Sequence, residues 1–304
     1  MPDRVLPGVV MMLGFCAVAP LIDVAAKMAA QSVTITQVTL LRMLVQAGLM
    51  LPVVWWLGQS LKLAPRLHWL MVARALMLLG STYTFVGAVA VMPIADALAI
   101  VFVEPFILLA LGALLFGEQV GPRRIAASVI GFLGVLLVIQ PNFAVFGPVA
   151  LLPLGTAVFF AFYMLLTRRI TREVPPEAMQ AQTALYGAVL MLPVVGLGHA
   201  LGWEPLMVGA AVPVVWMQLI AVGLAATVAH LLITYALRYA PAATLAPLHY
   251  LEIVTAVAFG WLFFADWPNP LSWSGIAVIT SAGLYIIARE RHLARQMAAS
   301  SAPR

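Results

Sequence analysis

The chain has 304 residues, of which 64% are hydrophobic and only 9% are charged, and its formal net charge is +5. Soluble domains carry about 25% charged residues, so this composition excludes a soluble globular protein and predicts an integral membrane protein. The apolar runs are continuous and exceed the ~18 residues that a spanning helix needs, which favours helices over a membrane β-barrel. The single cysteine, Cys16, excludes a disulfide framework.

Ten apolar segments predict an all-α integral membrane protein with ten transmembrane helices. The connections are short and most contain Pro or Gly, so the sequence predicts no soluble domain. The predicted spans are, in chain order, Leu6–Lys27, Thr36–Leu57, Leu67–Met92, Ile94–Phe116, Arg123–Ile139, Pro148–Thr167, Glu177–Leu197, Pro213–Tyr239, Ala242–Phe264 and Ser272–Ala288.

The Lys and Arg residues predict the orientation of the chain. If consecutive spans alternate in direction, 13 of the 16 fall on one side, and the other three, Lys27, Arg42 and Arg74, lie within or at the ends of spans. Because basic residues favour the cytoplasmic side of short loops, both termini are expected to be cytoplasmic. This includes a basic tail at 290–304, whose very end is expected to be disordered. The basic residues are not gathered on one face, which argues against nucleic-acid binding.

Two segments of the chain, 93–117 and 241–265, resemble each other at a constant offset of 148 residues. Each copy places one carboxylate, Glu104 or Glu252, near the middle of an apolar span. A carboxylate at that depth costs roughly 2.5–3.5 kcal/mol on insertion scales, so it indicates a functional site. The matching residues are Pro93/Pro241, Ala95/Ala243, Glu104/Glu252 and Phe116/Phe264, followed by the acidic Glu118 and Asp266.

The duplication also reaches the earlier spans, since LMLPVV occurs at 49–54 and again at 190–195, an offset of 141. Each unit, 1–141 and 148–289, then holds five spans, and an odd number forces the second unit to enter the membrane in the opposite sense. The sequence therefore predicts two inverted five-helix repeats, an arrangement typical of secondary transporters with a substrate site near mid-membrane. Chance similarity is the alternative, which the long ungapped offsets disfavour.

Glu104 and Glu252 are the leading candidates for proton or cation handling. Removal from water disfavours the charged form of a carboxyl group, and two carboxyls in one cavity disfavour simultaneous ionisation. Such a pair can hold a proton in one state and release it when a cation arrives. The alternative is that each glutamate bonds to a buried Arg or Tyr and only fixes helix packing. Pro105 directly after Glu104 leaves backbone carbonyls without helical partners, which makes that region more typical of a binding site.

His249 and Tyr250 precede Glu252, and Pro241 and Pro247 predict an irregular ninth span. Broken spans line cavities in transporters. His249, and likewise His230 in the eighth span, is a candidate proton relay, and a buried histidine bonded to a neighbour is the alternative.

Tyr83, Tyr163 and Trp261 are candidates for an aromatic lining that attracts organic cations. Core packing is the alternative for each of them.

The charged residues Asp23, Lys27, Arg42, Arg74 and Asp96 are candidates for gating or ion pairs. An arginine at membrane depth requires an anionic partner or a cavity. Arg42 is expected near Asp23 and Asp96 at the outer side, whereas Arg74 lies in the inner third of its span. Asp23 and Lys27 are four residues apart and can pair on one helix face. Direct capture of a substrate carboxylate by Arg42 or Arg74 is the functional alternative to structural pairing.

The run ALAIVFVEPFILLALGALLFGEQVGPRRIAASVIGFLGVLLVIQP at 97–141, its weaker second copy, and the positions of Lys27 and Arg42 resemble the EamA-type branch of the drug/metabolite transporter superfamily. The resemblance covers nearly the whole chain, although the second copy has Ala265-Asp266 where Gly-Glu is expected. It implies transport of a small metabolite or drug, commonly export and commonly proton-coupled. It does not name the substrate.

The sequence thus predicts a secondary transporter in a bacterial inner membrane that exports a small cationic or zwitterionic metabolite by proton-coupled alternating access. The alternative is an uptake facilitator or exchanger for an anionic or nucleoside-like metabolite, anchored by Arg42 and Arg74. The expected partners are a small-molecule substrate, the lipid bilayer and protons, with a monomeric or homodimeric chain and no cofactor or metal. Catalytic signatures of hydrolases, nucleotide-binding enzymes and metalloproteases are absent from the sequence, which argues against an enzyme.

Overall fold

The computed structural model describes residues 5–91, 94–117, 120–140, 147–264 and 269–300. Within them, ten segments are long and apolar enough to span a membrane, as the sequence predicts. Pro93, Glu118, Pro141 and Asp266 lie outside the described residues, as does the side chain of Asp96. The helices are α1 Val5–Ala30, α2 Ile35–Trp56, α3 Pro65–Val89, α4 Ile94–Val101, α5 Glu104–Phe116, α6 Pro122–Ile139, α7 Leu151–Ile170, α8 Pro176–Leu201, α9 Pro213–Tyr239, α10 Ala242–His249, α11 Glu252–Phe264 and α12 Pro270–Ser300.

The helix ends follow from local sequence signals. Thr34 caps α2, since its hydroxyl oxygen accepts a hydrogen bond from the Gln37 N–H at 3.1 Å. Helices α3, α8 and α9 each carry proline in the first turn, where its missing N–H costs nothing. Gly117 and Gly202 end α5 and α8 in the left-handed conformation that glycine adopts without strain. The last helix, α12, continues to Ser300 and so includes most of the predicted basic tail, whereas the disorder predicted for its very end falls on residues 301–304, outside the described residues.

The helix boundaries repeat along the chain. The start of α8 follows that of α2 by 141 residues, and the starts of α9, α10, α11 and α12 follow those of α3, α4, α5 and α6 by 148. The helix packing repeats too: α2 lies against α8, α6 against α12, α1 against α9 and α3 against α7. The counterparts are α1 and α7, α2 and α8, α3 and α9, and so on to α6 and α12. Replacing each helix in these pairs by its counterpart gives the same set of pairs, as a two-fold relation between the repeats requires. The inverted sense of the second repeat stays a prediction.

Consecutive spans are joined by short connections, so their ends alternate between two sides. We call the side with the connections at 57–64 and 171–175 the basic side, because the Lys and Arg residues gather there. We call the side with the connections at 31–34 and 202–212 the opposite side. The small-residue faces of α6 and α12 meet closely: a Cβ atom on Gly275 would lie 2.6 Å from the Gly134 carbonyl oxygen. These two helices therefore form a tightly packed scaffold.

Candidate functional site

The fourth and ninth spans are both interrupted at their centres. In the fourth span, α4 ends at Val101 and α5 begins at Glu104, and in the ninth, α10 ends at His249 and α11 begins at Glu252. The irregular ninth span predicted from its prolines is confirmed. Both interruptions are single tightened turns, in which N–H groups bond the carbonyl three residues back. Each break places a glutamate at the N-terminal end of a half-helix, where the helix dipole favours negative charge.

The two glutamates meet at one histidine. The Nδ1 atom of His249 lies 2.7 Å from Glu104 Oε2, and its Nε2 atom lies 2.9 Å from Glu252 Oε2. All three side chains are almost fully buried. The structure therefore joins one carboxyl group from each repeat through a single imidazole.

The geometry fixes the number of protons in this triad. Each of the two hydrogen bonds needs one proton, so the triad holds either an imidazolium between two carboxylates or a neutral imidazole with one protonated carboxyl. Its net charge is −1 in both arrangements. Glu104 Oε1 is buried and has no hydrogen-bond partner among the described residues, so only one oxygen of this carboxyl group takes part in the triad.

A cavity extends from His249 towards the opposite side. It has about 100 Å³ of space for the centres of water-sized molecules, which is room for several waters. Its walls come from α1, α2, α3, α4, α7, α9, α10 and α11. Ala26, Val38 and Val86 line it within four residues of helix ends on the opposite side. The polar or charged lining residues are Asp23, Arg42, Ser81, Thr82, Thr156, His230, His249 and Glu252.

Arg42 and His230 form the second polar group of the cavity wall. The Nη1 atom of Arg42 donates to Thr82 Oγ1 at 2.7 Å, and its Nη2 atom lies 2.5 Å from His230 Nε2. Arginine can only donate, so Nε2 of His230 accepts and the imidazole is neutral with its proton on Nδ1. That proton is directed at the Tyr163 hydroxyl oxygen, 2.8 Å away.

Arg74 continues this network towards the basic side. Its Nη2 atom donates to Tyr163 Oη at 2.7 Å, and its Cζ atom lies 4.4 Å from the centre of the Tyr163 ring. The other hydrogen bonds go to threonine hydroxyls: Thr167 at 2.7 Å, Thr234 at 3.3 Å, and Thr183. Arg74 and Arg42 form no ion pair with a carboxylate in the described part of the chain.

The remaining predicted charged residues do not pair with each other. Asp23 is half-buried in the cavity wall, and no hydrogen bond or ion pair joins it to Lys27 or to Arg42. The Arg42–Asp23 and Asp23–Lys27 pairs considered from the sequence are thus not formed in this structure, because Arg42 is held by Thr82 and His230 instead. Asp96 lies on α4, and its side chain is outside the described set.

The predicted aromatic lining is wrong, since Trp261, Tyr83 and Tyr163 are not among the residues that line the cavity. Trp261 is 51% exposed on the outer surface of α11, because nine residues, about two and a half turns, separate it from Glu252. Tyr83 is half-buried outside the cavity, with its hydroxyl 3.2 Å from Thr36 Oγ1. Tyr163 is buried beneath the cavity floor, and Tyr250 is buried against Gly131, with no hydrogen bond to its hydroxyl from any described residue.

Phenylalanines, which sequence reasoning missed, form the aromatic part of the cavity. Phe15, Phe102 and Phe160 surround the His249 imidazole with ring centres 5.4, 6.0 and 5.9 Å away, and Phe85 also lines the wall. One signal was present in the sequence: at the offset of 141, Phe15 matches Thr156 and Ala19 matches Phe160, and all four line the cavity.

Comparison with known proteins agrees with this architecture. The model of the EamA-like transporter family matches residues 6–140 and again residues 147–289. A riboflavin transporter of Rhizobium johnstonii is 35% identical over 240 residues, which cover 77% of this chain and 76% of that protein. An S-adenosylmethionine uptake transporter of Rickettsia felis is 23% identical over 273 residues, 88% of each chain. A solved crystal structure with 20% identity covers 97% of this chain and 98% of its own at a TM-score of 0.73, so it shares the fold.

The repeated family match corresponds to the repeated helix boundaries, and the relatives named as transporters align over most of their length. The chain therefore belongs to the EamA-like transporter family and is a multi-pass membrane transporter of small metabolites rather than an enzyme.

Proposed function

We propose that this protein is a secondary transporter of a small metabolite with a planar, nitrogen-containing aromatic ring, and that riboflavin is the first compound to test. Both relatives described above are named for such compounds, riboflavin and S-adenosylmethionine. The proposal corresponds to the nucleoside-like alternative from the sequence rather than to the cationic substrate favoured there.

The observation that carries the proposal is the composition of the cavity wall. Phe15 and Phe160 present rings inclined by 20° to each other at a centroid distance of 6.3 Å. Arg42 lines the same wall, and its Nε atom, which has no hydrogen-bond partner among the described residues, supplies a donor for the edge of a ring. A flat heterocycle has apolar faces and polar edges, and it matches a wall that offers aromatic faces and polar groups in the same way. The present cavity holds only several waters, so a flavin-sized compound requires it to widen.

The two arginines favour a neutral or anionic substrate, whereas the carboxyl groups of Asp23 and Glu252 in the same wall favour a cation. Arg42 lies in the cavity wall and Arg74 lies on the basic side of it, and neither has a carboxylate partner among the described residues. Two positive charges in a low-dielectric region repel a cation that passes them and attract acceptor atoms or anions.

Transport by alternating access follows from the same arrangement under this proposal. Two inverted repeats would rock around the central triad, and the cavity would open to one side at a time. The basic side is assigned to the cytoplasm of a bacterial inner membrane, because basic residues favour that side of short loops. The cavity would then face outward in this structure.

Counterflow in proteoliposomes tests the substrate without a prior choice of direction. Vesicles loaded with unlabelled riboflavin are expected to take up labelled riboflavin. Phe160→Ala should reduce the rate about five-fold or more, since aromatic stacking contributes roughly 1–3 kcal/mol per ring. Phe162→Ala is the matched control, because Phe162 lies on the same helix but is 37% exposed on its outer face.

Two outcomes oppose the proposal. One is the absence of riboflavin counterflow by wild-type protein that is folded and monodisperse. The other is an equal loss of rate in Phe160→Ala and Phe162→Ala, which would mean that the cavity ring does not contact the substrate.

Proton-coupled transport of a cationic or zwitterionic metabolite is the second candidate. It is favoured by the carboxyl groups of Asp23 and Glu252 in the cavity wall and by the buried triad behind them. S-methylmethionine, a sulfonium cation like S-adenosylmethionine but without an aromatic ring, is the matched probe. If an imposed proton gradient drives its accumulation while riboflavin is not transported, this second candidate replaces the first.

A further inference from the structure

The environment of Arg74 is unusual for a buried cation. Arg74 and its four partners Tyr163, Thr167, Thr183 and Thr234 are all 0% exposed. The partners come from α7, α8 and α9, and each of them is neutral. A buried charge is costly unless an opposite charge or water compensates it, so packing alone gives no reason for an arginine here.

The sequence repeat relates the residues of this cluster to residues that line the open cavity. Offsets of 141 for the first two helices of each unit and 148 for the later ones relate every residue to a counterpart. Arg74 corresponds to Val222, Tyr163 to Ile22, Thr167 to Ala26, Thr183 to Arg42 and Thr234 to Val86. All five counterparts line the cavity that extends to the opposite side. The cluster therefore occupies, in one half of the molecule, the position that the open cavity occupies in the other.

The two glutamates also differ between the open half and the packed half. Glu252 lines the cavity, whereas its counterpart Glu104 is 0% exposed. Thr82 and its counterpart His230 behave differently, since both line the cavity. This pair is thus part of the cavity in both halves, whereas the Arg74 cluster and Glu104 are packed where their counterparts are open.

We propose that Arg74 and the threonines around it are the wall of a second, latent substrate cavity, which opens to the basic side and binds an acceptor-rich edge of the substrate. The inference rests on the alternating access proposed above and adds the residues that act in the other conformation. In that conformation, the residues around Arg42 pack together and the residues around Arg74 separate.

The hydrogen bonds of the cluster define the ligand chemistry. The hydroxyls of Thr167, Thr183 and Thr234 donate to carbonyl oxygens one turn back in their own helices, at 2.7, 2.8 and 2.6 Å. Their oxygens can therefore only accept from Arg74, which leaves the guanidinium as the main donor when the cluster separates. A planar fork of donors matches adjacent acceptors, as in a ring dione, a carboxylate or a phosphate.

Cysteine accessibility tests the latent cavity without a known substrate. Thr234→Cys is labelled with a membrane-impermeant maleimide in inside-out and right-side-out vesicles, and wild-type protein, whose lone Cys16 is buried, provides the blank. Thr227→Cys is the matched control, because it is buried on the same helix but its counterpart Leu79 does not line the cavity. Phe85→Cys, in the open cavity, reports access from the opposite side.

Labelling of Thr234→Cys from the basic side is expected to be about ten-fold faster than that of Thr227→Cys, because even a minor open state exposes it. Phe85→Cys should react from the opposite side. The inference is overturned if Thr234→Cys resists labelling from both sides while Phe85→Cys reacts from the opposite side. If it is labelled but riboflavin is not transported, only the proposed substrate fails.

The role of Arg74 itself is tested by Arg74→Lys, which keeps the charge and removes the planar fork. For riboflavin entering from the basic side, the half-saturation concentration should rise about ten-fold, the size of one charge-assisted hydrogen bond. Arg172→Lys, at an exposed arginine on the same side, should leave that value unchanged. If Arg74→Lys raises the half-saturation concentration equally for riboflavin entering from either side, then Arg74 does not contact the substrate only in the basic-side cavity, and the inference is overturned.

Discussion

At the scale of single residues, His249 is the point where the two repeats meet chemically. It contacts Glu104 from the first repeat and Glu252 from the second, and three phenylalanine rings shield it. Inside such a shell, a carboxyl group that loses its partner cannot turn to bulk water. The energetic role of His249 is therefore to supply the partner that both glutamates need.

His249→Ala is expected to destabilise the protein by about 3–5 kcal/mol, the usual cost of leaving a buried charge without its partner. Adding Glu104→Gln should recover part of this loss, because a neutral amide requires no counter-charge. Thermal unfolding of the two single variants and the double variant in detergent measures the coupling between the two positions. Lys62→Ala, at an exposed side chain, is the control and should change stability by less than about 0.5 kcal/mol. Strictly additive losses would contradict the coupling.

The sequence predicts the ionisable residues of the site better than it predicts their partners. Glu104, His249 and Arg42 stand out because a titratable residue in an apolar run is costly wherever it points. The threonines around Arg74 do not stand out, since Thr167, Thr183 and Thr234 lie on three helices and a lone threonine in a span is common. Which of them meet depends on helix packing, which no local pattern encodes.

At the scale of helices, the two broken spans show how tertiary structure overrides local signals. Pro105 explains the break before α5, because it lacks the N–H that would continue the helix. Its counterpart in α11 is Ile253, which has that N–H, yet the break falls at the equivalent place. The common factor is the glutamate that opens each half-helix, so the second break forms without a proline directly after the glutamate.

The contact between α6 and α12 gives a prediction at this scale. A Cβ atom on Gly275 would lie 2.6 Å from Gly134 O and 2.9 Å from Val138 N, and backbone atoms cannot move away cheaply. Gly275→Ala should therefore destabilise the protein by about 1–3 kcal/mol through overpacking. Gly48→Ala is the control: it lies in α2 with nothing within 4 Å of the new Cβ, and alanine is the better helix former.

Thermal unfolding in detergent distinguishes the two glycines. The expected result is a lower unfolding temperature for Gly275→Ala and an equal or higher one for Gly48→Ala. Equal unfolding temperatures for both variants would mean that the two scaffold helices are not packed as closely as described.

At the scale of the whole molecule, the two sides differ in how they are closed. The opposite side contains the cavity, whereas on the basic side several layers cover Arg74. An apolar cluster around Met71 and Ile170 lies there. Outside it, Glu177 binds Gln59 and Tyr235 and so joins α8 and α9 to the connection after α2. Such layers must separate together if the basic side is to open, so weakening one layer should shift the balance between the two conformations.

The outermost of these layers is the ion-pair group at Glu173. Its carboxylate binds Arg66 of α3 at 2.6 Å and Arg169 of α7 at 3.0 Å. Because the arginines are well exposed, each pair contributes little, and Glu173→Gln should raise basic-side labelling of Thr234→Cys by about two- to five-fold. Glu204→Gln, at an exposed carboxylate on the opposite side, is the control and should leave the rate unchanged. High salt should raise the labelling rate of Thr234→Cys by the same factor when Glu173 is native. It should leave that rate unchanged in Glu173→Gln, since screening removes only ion pairs that exist. A lower labelling rate in Glu173→Gln would mean that these ion pairs favour the open basic side rather than the closed one.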